Sequence, residues 1–309
     1  MAVDSPTAGR VLLVDQAERD SEAVADVRRQ VRSADSALKP VLNNVASSLD
    51  IERMAARTFE NQLKTLYARV SEFTRALIAG GDDSRALLVN ASKLPMEDLL
   101  TRLGMGDMVQ SFTAAQVAAL RSAEAAARAA GFEDFGVLDP SEPVLRAALD
   151  RTLEAFWQEQ VVLPTRRAIL DAAVDALTAT SLDGVAERVE RTLDTHAARA
   201  TTEARTEIAR WNRTVQAVSA AESEAELFAY LGPVDGVTRP FCRTLAQRIL
   251  TAEQISELDN GQTVDSPLTS GGGYNCRHTF NPVSRAFAER SGLPFATDAE
   301  VQQANRRAA

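Results

Sequence analysis

Large apolar side chains recur at spacings of three to five along most of this chain, and only near the end does that rhythm give way to short blocks. Residues 14 to about 48 are charged and alanine-rich, with a thin stripe of Val24, Val27, Val31 and Leu38. They read as a helix broken or kinked at Pro40. Met54, Phe59, Leu63, Leu66, Tyr67, Val70, Phe73 and Leu77 then form one stripe of a long amphipathic helix, ended by Gly80-Gly81. A short helix over 96–103 is punctuated by Gly104 and Gly106, and an alanine-rich helix over 108–130 is closed by Gly131. Asp139-Pro140-Ser141-Glu142-Pro143 is a helix-start signal, with Ser141 the candidate cap and Pro143 suited to the first turn. That helix presents Leu145, Leu149, Leu153, Phe156 and Trp157 until Pro164 interrupts it, and another runs over 165–178. After a turn at Ser181, a very long helix is predicted over 185–218. Its stripe of Val185, Val189, Leu193, Ala197 and Ala200 is thin until Ile208 and Trp211.

The pattern changes after Ala221. Leu227-Phe-Ala-Tyr-Leu231, followed by Gly-Pro, fits a small strand. Residues 240–258 read as a helix with Leu245, Ile249, Ile255 and Leu258 inward. Residues 260–273 form a loop, 274–280 a second strand, and the polar tail after Pro294 is frayed or extended. The predicted fold class is mainly α: an elongated multi-helix N-terminal region with a small C-terminal α+β module. The expected partition is linear: helices over 1–180, a connecting helix over 181–220, the module over 221–290 and a tail over 291–309.

Composition narrows the function classes. The 309 residues carry a net charge of −9. Cut at residue 200, the chain has 23 basic against 30 acidic residues before it, and 11 against 13 after it. Neither half is a phosphate-tracking surface, so wholesale nucleic-acid binding is not expected. The N-terminus lacks a signal-peptide pattern, and no window approaches the roughly 18–20 apolar residues of a membrane span. Two cysteines do not make a secreted disulfide scaffold, and the expected environment is a reducing cytoplasm.

Both cysteines and one of the two histidines fall in one constellation: Asp235-Gly-Val-Thr238-Arg239-Pro240-Phe-Cys242, then Gly271-Gly-Gly-Tyr-Asn275-Cys276-Arg277-His278, closed by Pro282. Cys242, Cys276 and His278 are zinc-ligand types, and Asp235 is a candidate fourth ligand. A strand over Cys276-Arg277-His278 would put the cysteine and histidine on one face. The competing states are a Cys242–Cys276 disulfide and a pair of buried thiols beside a hydrogen-bonded histidine. A catalytic Cys276–His278 pair is disfavoured, since residues two apart on a strand stand too far apart for the required bond. His196, among Asp194, Arg199 and alanines, reads as solvent-facing. The remaining dense stretch is Arg205-Thr206-Glu207 with Arg210, Trp211 and Asn212, where Glu207 and Arg210 are spaced for a helix-surface ion pair.

Taken together, Arg205-Thr206-Glu207 with Asn212, the turn of Asp235, Thr238 and Cys242, and Asn275-Cys276-Arg277-His278 with Pro282 resemble the phage Mu F-like head morphogenesis family. These are the minor head, or minor capsid, proteins of tailed bacteriophages. The resemblance covers about residues 165–285. Many members carry Pro-Pro-x-His ahead of the second cysteine, where this chain has Gly271-Gly-Gly and places its histidine afterwards. The resemblance implies a non-enzymatic virion component at the portal vertex, made in the host cytoplasm. Its implied partners are the portal, scaffold or major capsid protein, in head morphogenesis or in genome packaging and ejection, with contact to genomic DNA not favoured. The alternative from a different class is a metal-dependent nuclease or toxin-like hydrolase built on Asp235, Cys242, Cys276 and His278. It would need an open metal position and a carboxylate base.

Overall fold

A computed structural model describes residues 6–79, 89–139, 141–176, 182–261 and 266–308, with side chains from residue 18 onward except at 152, 153, 182, 183 and 186. The predicted glycine stop at Gly80-Gly81, Pro140, the end at Thr178, the Ser181 turn and the side chain of Leu153 lie outside the described residues. In chain order the elements are α1 (Pro6–Ser33), α2 (Lys39–Ala79), α3 (Met96–Leu100), α4 (Gly106–Ala129), α5 (Pro143–Arg151), α6 (Leu163–Ala176) and α7 (Leu182–Glu222). There follow β1 (Leu227–Leu231), α8 (Pro240–Leu245), β2 (Arg248–Thr251), α9 (Ala252–Ser256), α10 (Pro267–Ser270), β3 (Thr279–Val283), α11 (Arg285–Arg290) and α12 (Asp298–Ala308). The protein is thus mainly helical, with one small three-stranded sheet near the C-terminus.

The chain divides into two compact units, each assembled from three separated segments. The first comprises Met1–Asp15, Ala55–Thr113 and Asp150–Ala204, the second Gln16–Met54, Ala114–Leu149 and Arg205–Ala309. The expected partition was linear, and these units are not. In the first unit, Phe59, Phe112, Phe156 and Trp157 form an aromatic knot with ring centroids 5.3–6.5 Å apart. Leu63, Leu66, Val70, Ile169, Val189 and Leu193 are buried there as well. Pro164 does not interrupt the helical run. It is the second residue of α6, and two wide π-helical turns, Thr152–Phe156 and Gln158–Val162, shift the hydrogen-bond register ahead of its ring.

Three further expectations change. The break predicted at Pro40 falls over residues 34–38 instead, and Pro40 opens α2, where its missing N–H costs nothing. Met54 is 63% exposed, so it leaves the stripe that Phe59, Leu63 and Leu66 continue. Glu142, and not Ser141, covers the start of α5, its carboxylate accepting from Val144 N at 2.7 Å.

In the second unit the antiparallel sheet has the order β2-β1-β3. Every β1 residue is buried, because both faces of the strand are covered. Leu227, Ala229 and Leu231 join Val27, Val41, Leu42, Ile249 and Val283 in one core. Phe228 and Tyr230 face a second core with Phe241, Cys242, Leu245, Leu250, Cys276 and Phe280. Fully burying such side chains stabilises the fold by ~1.5–3 kcal/mol each. A third cluster gathers Leu120, Leu145, Val215 and Trp211, whose indole donates to Gln116 O at 2.9 Å.

The predicted helix over 240–258 is a helix, a strand and a helix. Gln247 takes φ 60°, turning the chain between α8 and β2, and Thr251 opens α9 through a reciprocal capping box with Gln254. The second strand begins five residues later than predicted, at Thr279, so the stretch carrying Cys276 and His278 is irregular. Pro282 lies in the edge strand β3 opposite Phe228, where a missing donor is tolerated. The tail is packed and helical, with Val301 and Ala304 of α12 buried, and Ala296 N donates to Ile249 O at 2.8 Å.

Candidate metal centre

Three structural pieces deliver donor atoms to one buried point. The even-numbered face of β1 carries Tyr230, the first turn of α8 carries Cys242, and the segment before β3 carries Cys276 and His278. Ligating atoms of Cys242, Cys276 and His278 all lie within 4.8 Å of one another, and all three residues are buried. The two sulfurs are 3.7 Å apart and both thiols are free, whereas a disulfide brings sulfurs to about 2.05 Å. The Tyr230 hydroxyl lies 3.4 Å from Cys242 Sγ and 3.8 Å from Cys276 Sγ. Its ring stacks on His278 with centroids 5.2 Å apart. His278 Nε2 is buried without a protein hydrogen-bond partner.

Backbone donors point at the second sulfur. Gly272 N lies 3.2 Å and His278 N 3.4 Å from Cys276 Sγ. Its hydrogen bond with Cys242, aided by His278 and the Arg213 guanidinium, holds the Cys276 thiol well below its usual range despite burial. The same bond, together with burial, pushes Cys242 up. Burial, then the two neighbouring thiols, push Tyr230 well above the usual phenol range.

Glycines make the close approach possible. A Cβ on Gly272 would overlap Cys242 Sγ, one on Gly271 would come within 3.2 Å of Cys276 Sγ, and one on Gly232 would meet the His278 ring at 2.7 Å. Gly271 and Gly272 are therefore the surface against which the sulfurs seat. Two arginines fix the loop around it. Arg213 Nε donates to Thr269 O at 2.7 Å and its Nη1 to Cys276 O at 2.9 Å, while Arg239 donates to Gly272 O at 2.6 Å and to Tyr274 O.

Asp235 is not part of the cluster, contrary to its expected role as fourth ligand. Its two carboxylate oxygens accept from Arg277 at 2.7 and 2.8 Å, and Oδ1 also accepts from Thr238. Burial alone would raise its pKa, but the bidentate Arg277 pair and Thr238 outweigh it and hold the carboxyl below the usual range. Asp235 and Thr238 thus close a turn that clasps Arg277, one residue before His278. Cys276 and His278 are not placed on one face of a strand. The irregular path leading into them passes through Asn275 at φ 56°, a left-handed conformation that asparagine tolerates better than most residues.

The other predicted residues lie on α7, away from the sulfurs in role. Arg205 pairs with Asp20 at 2.7 Å, Asn212 Nδ2 donates to Glu52 at 2.5 Å, Glu207 pairs with Arg210 at 2.5 Å, and Thr206 is buried. Burial pushes Glu52 up to about 7 despite the Asn212 bond and the nearby Arg213. His196 is half-buried where a solvent-facing position was expected, and burial, then Arg199 and Arg167, lower its pKa. Sequence reasoning missed Tyr230, which is hidden in an apolar strand run, as well as Arg213 and Glu52.

Among the described residues no helix is long and apolar enough to cross a membrane. Comparisons with protein-family models, curated proteins and solved structures find no match to this chain.

Proposed function

We propose that this chain is a structural protein of a phage head, a minor head protein of the Mu F-like kind, whose C-terminal part is braced by one zinc ion on Cys242, Cys276 and His278. The observation that carries the metal is the sulfur separation. Tetrahedral zinc with Zn–S bonds of about 2.3 Å needs thiolates about 3.8 Å apart. The thiols stand at 3.7 Å, with an unpartnered imidazole nitrogen buried beside them. The donor set is soft and buried, which suits a site that stabilises a fold. The hydrolase alternative lacks its base, since both oxygens of Asp235 are committed to Arg277.

The head assignment draws its support from the way the motif residues act. Arg205, Asn212, Asp235, Thr238 and Arg277 each bond another part of the fold, while Asn275 takes a left-handed backbone turn and Pro282 sits in the edge strand. A motif made of such residues marks a fold and not a reaction. The protein would then act through its surfaces on the portal, scaffold or major capsid protein, at the portal vertex. Its acidic balance disfavours contact with packaged DNA.

Two measurements test the two halves of this reading. Elemental analysis with a thiol count on reduced, purified protein should give one zinc per chain, with both thiols reactive only after unfolding and chelation. Protein without bound zinc under those conditions would remove the brace. For the assignment, the chain should co-purify with phage heads at low stoichiometry. Its absence from both virions and procapsids would remove it.

A further inference from the structure

We infer that Tyr230 is the fourth ligand of the metal centre, its phenolate oxygen completing a tetrahedron with the two cysteine sulfurs and the histidine nitrogen. This rests on the zinc reading given above. With Zn–O at about 2.0–2.2 Å and Zn–S at about 2.3 Å, a tetrahedral oxygen sits about 3.5–3.7 Å from each sulfur. The Tyr230 hydroxyl stands 3.4 Å from one sulfur and 3.8 Å from the other, which brackets that edge. Three of the four donors therefore already occupy positions matching the corners of one tetrahedron, and the ligating nitrogen of His278 lies within 4.8 Å of both sulfurs.

The remaining candidate is committed elsewhere. Among the described residues the cluster holds no His, Cys, Asp or Glu side chain besides Cys242, Cys276 and His278, and Asp235 is held by Arg277. Tyr230 cannot readily turn away. It is fully buried on the central strand, stacked on His278 and packed against Phe280 at 4.4 Å between centroids. Charge agrees with this assignment. Two thiolates and a phenolate around a divalent zinc ion leave one net negative charge, and the buried guanidinium of Arg213 and the flanking Arg239 lie close enough to act on the two cysteines. On binding, the two thiol S–H bonds and the phenol O–H bond break, their three protons pass to solvent, and two Zn–S bonds and one Zn–O bond form beside the Zn–N bond from His278, with no change of oxidation state.

The test uses the full chain, reduced and stripped of metal, titrated with zinc alone while near-ultraviolet absorption is followed. Wild type should develop the difference band of a phenolate in step with zinc uptake. Tyr230→Phe, which keeps the ring and its stacking, should bind zinc without that band. Its affinity should fall by more than the roughly 10–100-fold that loss of an outer-shell partner costs. Circular dichroism confirms that the variant is folded. Zinc uptake by wild type with no phenolate band, or unchanged affinity in Tyr230→Phe, would overturn Tyr230 as a ligand and leave the zinc brace standing. Failure of wild type to take up zinc at all overturns both.

Discussion

Gly272 and Glu52 show how single side chains set the character of this molecule. At Gly272 the missing Cβ is what lets Cys242 Sγ approach the loop backbone. Gly272→Ala should lower stability by about 1–3 kcal/mol, the usual cost of overpacking. Gly236→Ala, where a Cβ meets nothing within 4 Å, should be neutral by comparison. Urea unfolding of the two variants checks this, and equal midpoints would contradict it. Glu52 is a buried carboxyl whose folded form keeps its proton up to about pH 7, while the unfolded chain releases it near 4.5. The folded state then binds the extra proton between those values. The associated stability is complete below pH 4.5 and is lost as pH rises through about 7, with a size of roughly 3 kcal/mol. Glu52→Gln should remove this part of the pH dependence. Unfolding free energies at about pH 5 and pH 8 test it, and an identical slope in both proteins would count against it.

Ion pairs on the helices differ in worth according to where each sits. Arg205 of α7 and Asp20 of α1 are about 10% and 9% exposed, whereas Lys64 is half exposed beside Glu60 on α2. Asp20→Ala strands a buried guanidinium and should cost about 3–5 kcal/mol. Lys64→Ala should cost about 0.3–0.5 kcal/mol. Thermal unfolding of the two variants separates the cases, and similar losses would refute the distinction. The same helices were readable from their apolar spacing, because a long stripe such as Phe59, Leu63, Leu66 and Val70 tolerates errors at its ends. β1 was readable too, as a short apolar block before Gly232-Pro233. β2 was not. Leu245, Ile249, Ile255 and Leu258 fit a helical period, and the turn at Gln247 is made by a residue type that carries no turn signal. The cluster was half legible. Cys242, Cys276 and His278 stand out as ligand types, but nothing in the spacing distinguishes Asp235, which clasps Arg277, from Tyr230, which faces the sulfurs.

At the scale of the whole chain, segments far apart in sequence share cores, so linear boundaries do not correspond to separable pieces. A fragment starting at residue 221 illustrates this. It keeps every residue of the metal cluster but loses Val27, Val41 and Leu42, which cover the odd-numbered side of β1. Such a fragment should be poorly soluble even when loaded with zinc, and addition of a 16–54 peptide should improve recovery. A monomeric, soluble fragment 221–309 with a cooperative melt would contradict that. β1 is in effect a party wall: the helical side and the sulfur side each lean on it, and neither can be built before the other is to hand. A ribosome that has finished residue 220 has therefore made Val27, Val41 and Leu42 without the strand that covers them, which has still to emerge.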